Sequence, residues 1–170
     1  MVTNKKGRGA GSAVDKKKKV MMISSIGGHL TQLLQLEPVF TQYDYHIVTE
    51  KSSITLEMKK KYPMSYLVYG ARNYPVRYIF KFSYNIIKSF LLFLKYRPDV
   101  VITTGTHTAV PMCYIAKLFR KKVVFIESFS KSSSANLSGR MVYPIADLFV
   151  VQWESMLKVY PKAVYGGTIY

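Results

Sequence analysis

Six short apolar bursts rich in valine and isoleucine alternate along this chain with longer amphipathic stretches. They read VMMIS (20–24), YHIVT (45–49), SYLVY (65–69), DVVIT (99–103), KVVFIE (122–127) and DLFVV (147–151). Several are apolar at nearly every position rather than at every second one, as in strands covered on both faces. The stretches between them predict helices over 29–40, 53–61, 77–95, 109–119, 137–144 and 153–159. Strand then helix, repeated, implies a parallel sheet with right-handed crossovers: a doubly wound, Rossmann-like α/β fold. Local signals support the boundaries. Thr108 stands where an N-cap would, with Pro111 in the first turn behind it, and Ser52 or Ser53 can cap the helix that follows.

A chain of 170 residues suits one domain with a single substantial core. Hydrophobic residues make up 49% of it and aromatics 14%, too apolar for a disordered polymer. The formal charge of +16 is uneven, because residues 1–19 hold seven basic side chains and one acid. Those residues are expected to form a disordered basic arm, with the folded domain over 20–170. The excess positive charge favours an anionic partner without choosing among nucleic acid, acidic lipid and phosphorylated substrate. Cys113 is the sole cysteine, so no intrachain disulfide can form, and a reducing compartment is expected. No stretch approaches the roughly 18 uninterrupted apolar residues of a spanning helix, and the arm lacks the apolar core of a secretory signal.

In a doubly wound sheet, ligands bind beyond the carboxyl ends of the strands where the strand order reverses. The first and fourth strands flank that point, and the fifth is the next neighbour. Their loops are SIGGH (25–29) and TTGTHT (103–108), and the fifth strand ends in Glu127 and Ser128. Gly27 and Gly28 let the chain turn tightly and a ligand come close, while the N–H groups at the next helix start favour negative charge. Neither GxGxxG nor GxxxxGK[ST] occurs, which disfavours a nicotinamide enzyme or a P-loop ATPase. Thr104, Gly105 and Thr106, with His107 beside them, are candidates to hold sugar hydroxyls or phosphate oxygens. Glu127 closes an otherwise apolar strand, where a carboxylate needs a partner or a task. His29 and Glu127 are therefore the two candidate general bases for a sugar hydroxyl, against a purely hydrogen-bonding role for Glu127. The Ser-rich stretch 128–139 is long for such a connection and is a candidate lid. No metal-ligand set is assigned.

The predicted helix 77–95 carries Arg77, Lys81, Lys88 and Lys95, spaced 4, 7 and 7 apart, and so within one narrow stripe. The rest of it is more apolar than one side of a sheet requires. A basic amphipathic helix of this kind can rest among anionic head groups.

GGH (27–29), a Gly/Thr loop followed by Pro111, IES (126–128), LSGR (137–140) with Tyr143, Asp147, VQW (151–153), YP (160–161) and YGG (165–167) together carry a resemblance throughout residues 20–170. The order resembles the membrane-associated subunit of the bipartite UDP-N-acetylglucosamine transferase of the dolichol pathway, with its bacterial capsule and exopolysaccharide counterparts. The resemblance implies the amino-terminal, acceptor-side half of a GT-B glycosyltransferase, nearly inactive alone. A separate donor-binding chain would form a heterodimer with it and hold the UDP-sugar, so no cofactor is expected here. In the capsule branch the hexose is often galactose rather than N-acetylglucosamine. Eukaryotic members begin with a spanning helix where this chain has a lysine-rich arm. This favours the bacterial branch and peripheral attachment at the cytoplasmic membrane face. The lipid-linked sugar acceptor is expected against His29 and Glu127, and the partner against Trp153, Tyr165 and Gly166. Two rivals are a nucleic-acid-binding module, for which no RNP-like, KH or zinc signature is present, and a non-catalytic scaffold.

Overall fold

The computed structural model describes residues 17–70 and 75–169, with side chains in the second stretch from Tyr78 onward. Most of the predicted basic arm therefore lies outside the described residues, as does the side chain of Arg77. The last lysine of that arm is already in the sheet: Lys19 opens β1 (Lys19–Ile23) and donates its N–H to Asp99 Oδ2 at 3.1 Å.

Among the described residues the strands are β1, β2 (Asp44–Glu50), β3 (Met64–Leu67), β4 (Val100–Thr103), β5 (Lys122–Ile126), β6 (Leu148–Val151) and β7 (Val164–Tyr165). They form one sheet in the order β3-β2-β1-β4-β5-β6-β7, with every pair parallel. The order reverses between β1 and β4, as expected. The expected doubly wound fold is thus present. The added β7 is two residues long, too short to leave a periodic signal.

Because successive strand residues point to opposite faces, β1 serves both layers. Val20 and Met22 join Leu30 and Leu33 of α1 (Gly28–Gln35) and Phe40 of α2 (Glu37–Phe40). Met21 and Ile23 join the opposite layer with Val101, Val123 and Phe125. That second layer is covered by Phe93 of α4 (Pro75–Tyr96), Met112, Cys113 and Ala116 of α5 (Val110–Leu118), and Val142 of α6 (Leu137–Val142). Double coverage explains why the bursts are apolar throughout.

The differences from prediction have local causes. The helix expected over 29–40 divides at Leu36, because Pro38 fits the first turn of a helix but cannot donate within one. Ser52 rather than Ser53 caps α3 (Ser53–Met58), in a reciprocal box with Thr55. The last predicted helix is a 3₁₀ turn over Glu154–Lys158. Thr108 does not cap α5; Ala109 holds that position, and the Thr108 hydroxyl is directed elsewhere.

At the end of the sheet remote from the switch-point loops, Asp147 accepts the Val123 N–H at 2.9 Å and pairs with Lys117 and Lys122, each at 3.0 Å. Burial would raise its pKa, but the Val123 N–H and the two ammonium groups outweigh that and hold it at about 2, below the ordinary 3.8. A depressed folded-state pKa stabilises above the unfolded value and is lost as pH falls through the folded one. The contribution, screened by solvent because Asp147 is exposed, should be present above roughly pH 5 and vanish toward pH 2. Chemical denaturation between those limits should show this loss for the wild type and a flatter profile for Asp147→Asn.

Candidate functional site

The loop after β1 turns through Gly27, whose φ of 85° is a left-handed conformation that favours glycine, and delivers His29 into the first turn of α1. The loop after β4 grips that residue twice. The Thr104 hydroxyl donates to the His29 carbonyl at 2.8 Å, and the Thr104 carbonyl lies 2.8 Å from His29 Nδ1. A carbonyl only accepts, so Nδ1 carries the hydrogen and Nε2 is left as the basic nitrogen of the neutral ring. Gly105, with φ 101°, keeps the turn open, and a side chain there would meet the His29 ring and Phe125 at 3.5 Å.

A polar cleft of about 330 Å³ opens at this point. From the predicted set it is lined by His29, Thr106, His107 and Ser128, brought together from three separate loops. Thr104 and Gly105 are buried and serve to hold His29, while Gly27 and Gly28 remain exposed beside it. Thr106 is the strained member: its φ is 96°, unfavourable for a residue with a Cβ, and its buried hydroxyl oxygen has no hydrogen-bond partner. The remaining wall is Ser130, Lys131, Asn136 and Ser138 of the Ser-rich loop, with Ser25 and Leu137. Lys131 supplies a cation there.

Glu127 is 1% exposed and is not among the lining residues. Its Oε1 accepts the Ser128 N–H at 2.9 Å and the Asn136 side-chain amide, and its Oε2 accepts the Tyr160 hydroxyl at 3.1 Å. Burial raises its pKa, opposed by the Ser128 N–H, Tyr160, the charge of Lys131 and Asn136. Asn136 in turn caps α6, accepting from Gly139 N–H at 2.5 Å and the Ser138 hydroxyl at 2.9 Å. Ser138 then receives the Thr106 N–H at 3.2 Å. The carboxylate thereby fixes both ends of the loop that forms the cleft wall.

The Ser-rich loop, expected as a lid, is fastened midway as well. Trp153 Nε1 donates to the Phe129 carbonyl at 2.7 Å, its ring lies 4.9 Å from that of Phe129, and the Ser155 hydroxyl donates to the Ser132 carbonyl. Trp153 stays 39% exposed, and Tyr165 is exposed on the edge strand β7. Gly166 is required for packing, since a Cβ there would come within 2.7 Å of Val150 Cγ1.

Sequence reasoning passed over Glu50. It ends β2 as Glu127 follows β5, and the same sign, a carboxylate closing an apolar strand, was available in IVTE. Glu50 is buried, which raises its pKa, and it accepts the Thr108 hydroxyl at 2.9 Å and the Ile26 N–H at 3.4 Å. It thus ties the loops after β1 and β4 together, and this is where the Thr108 hydroxyl goes.

Along α4 the buried side is mixed, with polar residues beside Phe93. Asn85 and Ser89 face inward, where Asn85 bonds both the N–H and the carbonyl of Val68 at 2.8 Å. Ile79, Phe80, Ile87 and Leu91 are exposed, Phe80 to 73%. Lys81 reaches the Tyr69 carbonyl, and Lys88 and Lys95 lie over the rings of Tyr84 and Tyr96. Among the described residues no helix is long and apolar enough to cross a membrane, and no group of three or more His, Cys, Asp or Glu could hold a metal ion.

A Cβ at Gly139 would lie 2.6 Å from Glu127 Oε2 and closer still to the Tyr160 hydroxyl, both buried. Gly139→Ala should therefore cost ~1–3 kcal/mol by overpacking, read as a lower midpoint in thermal or urea unfolding.

Residues 20–169 match the family model described as "Oligosaccharide biosynthesis protein Alg14 like". A mouse protein named UDP-N-acetylglucosamine transferase subunit ALG14 is 30% identical, over 89% of this chain and 82% of its own length. The human protein of that name is 27% identical over 88% and 82%. Two solved structures share the fold: MurG from Acinetobacter baumannii, with TM-score 0.66 and 18% identity, and UDP-N-acetylglucosamine 2-epimerase from Rickettsia bellii, with TM-score 0.67 and 16% identity. The match covers 81% and 85% of this chain, but only 42% and 41% of theirs. The Rossmann-like sheet matches the fold of amino-terminal halves of GT-B glycosyltransferases, and the chain belongs to the Alg14-like family of oligosaccharide biosynthesis proteins.

Proposed function

We propose that this chain is the acceptor-side subunit of a two-component glycosyltransferase. It presents a lipid-linked sugar at the cytoplasmic face of a membrane, while a separate chain holds the UDP-sugar. The observation that carries this reading is the polar cleft at the switch point, with a basic nitrogen at His29 and a cation at Lys131, on a molecule whose α4 turns an apolar, lysine-bearing face outward. The names of the mouse and human relatives support the role of subunit and support N-acetylglucosamine as the sugar transferred. Galactose transfer in capsule or exopolysaccharide synthesis rests on the resemblance noted from the motifs.

Of the two candidate bases, His29 lines the cleft with Nε2 unprotonated in its neutral form, whereas Glu127 already accepts from three donors. His29 takes the proton of the acceptor hydroxyl as that oxygen attacks the anomeric carbon. The bond from that carbon to the UDP oxygen breaks, and UDP departs with the electron pair. Glu127 acts through the wall it fixes, keeping Ser128 and Lys131 in place. Trp153 and Tyr165, exposed near the carboxyl-terminal end, are the proposed partner contacts, with Gly166 fitting the edge strand onto β6.

Co-expression with a donor-binding partner, followed by transfer from UDP-N-acetylglucosamine or UDP-galactose to a lipid-linked sugar, tests the proposal. Activity should require both chains, and His29→Ala should lower kcat by about 10²-fold or more. Full activity from this chain alone, or no association with any donor subunit, would refute it; unchanged turnover in His29→Ala would leave a scaffold. Binding to anionic vesicles should weaken with salt and fall in an Ile87→Glu, Leu91→Glu double variant, with each basic side chain at the surface worth about 1 kcal/mol. Flotation assays read this directly, and salt-sensitive binding to RNA or DNA without vesicle binding would favour the nucleic-acid alternative.

A further inference from the structure

The residues lining the polar cleft include one permanent cation, Lys131, and no carboxylate. Five ion pairs form among the described residues, and Lys131 is in none of them. Its backbone N–H donates to the Ser128 carbonyl at 2.9 Å, while its ammonium has no hydrogen-bond partner among the described residues. Glu127 does not take it up. Burial raises the pKa of that carboxyl group and the Lys131 charge is one of the influences lowering it, yet the group is already supplied by three donors. The backbone is fastened on both sides of the lysine: the Phe129 carbonyl accepts the Trp153 indole N–H at 2.7 Å, and the Ser132 carbonyl accepts the Ser155 hydroxyl. A cation on a fixed segment, in a polar cleft and without a protein counter-charge, is prepared for an anion.

We infer that Lys131 is a catalytic cation supplied across the subunit boundary: its ammonium contacts the terminal phosphate of the UDP-sugar held by the partner and stabilises the charge that phosphate gains as UDP leaves. The inference rests on the function proposed above and specifies what this chain contributes to the donor's departure. Strand order favours the donor. The cleft loops follow β1, β4 and β5, so Lys131 stands on the side toward β6 and β7, where Trp153 and Tyr165 are the proposed partner contacts. The chemistry favours it as well. As the acceptor oxygen bonds to the anomeric carbon, the bond from that carbon to the phosphate oxygen breaks, its electron pair stays on that oxygen, and the hydroxyl proton goes to His29. The ammonium keeps its own protons. It acts on a charge that is larger in the transition state than in the bound donor, which is what lowers a barrier. A phosphate joining the acceptor sugar to its lipid gains no charge in this step, so a cation there would aid binding alone.

The test uses the co-expressed pair, with UDP-sugar and lipid-linked acceptor as substrates and UDP alone as a product inhibitor. Lys131→Met removes the charge and keeps an unbranched side chain. It should lower kcat about 10²-fold and raise the inhibition constant of UDP about tenfold, with the KM for the acceptor and the melting transition unaltered. Lys131→Arg should restore most of the turnover, because a guanidinium also binds phosphate. An unchanged kcat in Lys131→Met would overturn the inference, and so would a raised acceptor KM with UDP inhibition unaltered, which would place the cation on the acceptor. A lower melting midpoint in both Lys131→Met and Lys131→Gln, with normal turnover per folded molecule, would make Lys131 a counter-charge for Glu127 and overturn it too. A wild-type pair that transfers no sugar refutes the proposed function and this role with it. A pair that transfers sugar equally well with Lys131→Met refutes this role alone.

Discussion

A carboxylate removed from water at the end of β5 has to find hydrogen-bond donors or lose its charge. Glu127 finds them on three segments: the next residue, the cap of α6 and Tyr160 beyond the 3₁₀ turn. Each partner does a second job. Ser128 lines the cleft, Asn136 starts a helix, and Tyr160 packs its ring against Tyr143 and Phe149 in the core. The cleft wall is therefore as firm as this buried network, and the network closes only because position 139 carries no side chain. An incompletely satisfied arrangement of this kind would destabilise more than an apolar replacement. Gly139 of the short LSGR motif is explained by its packing against the Glu127 carboxyl group and Tyr160.

Glu50 repeats the device on the other side of the switch point. Between them the two carboxylates bind the loops after β1, β2, β4 and β5, with the paired Thr104 bonds holding His29 in the middle. The loops are polar, so their order comes chiefly from a few buried polar contacts. A strained backbone at Thr106 is tolerated in that frame, and strain of this kind concentrates where a structure meets its ligand.

The strands were legible because both faces of each are covered, which removes the alternation and leaves unbroken apolar bursts. The switch point followed from topology alone, and with it the meeting of His29, Thr106, His107 and Ser128. What escaped were matters settled between distant segments. Thr108 looked like a cap because its neighbours allow one, yet its hydroxyl answers to Glu50, 58 residues away. The break at Leu36 was written in Pro38, whereas β7 is too brief to show any period. Glu50 carried the same sign as Glu127 and was missed only because the burst was taken to stop one residue earlier. The exposed apolar face of α4 was half visible: its surplus of apolar residues could be counted, but the contact of Asn85 with Val68 and the burial of Phe93 tell which side faces in.

The tether between Trp153 and the Phe129 carbonyl joins the carboxyl-terminal edge to the middle of the loop beside the cleft. An indole that is both clasped to that loop and open to solvent makes the two places mechanically one. Pressure on its outer rim would reach the segment bearing Lys131 through that bond, the ring contact with Phe129 and the neighbouring Ser155 hydroxyl. In the proposed two-component enzyme, a companion seated on that rim would thus act on the cleft wall without approaching the cleft.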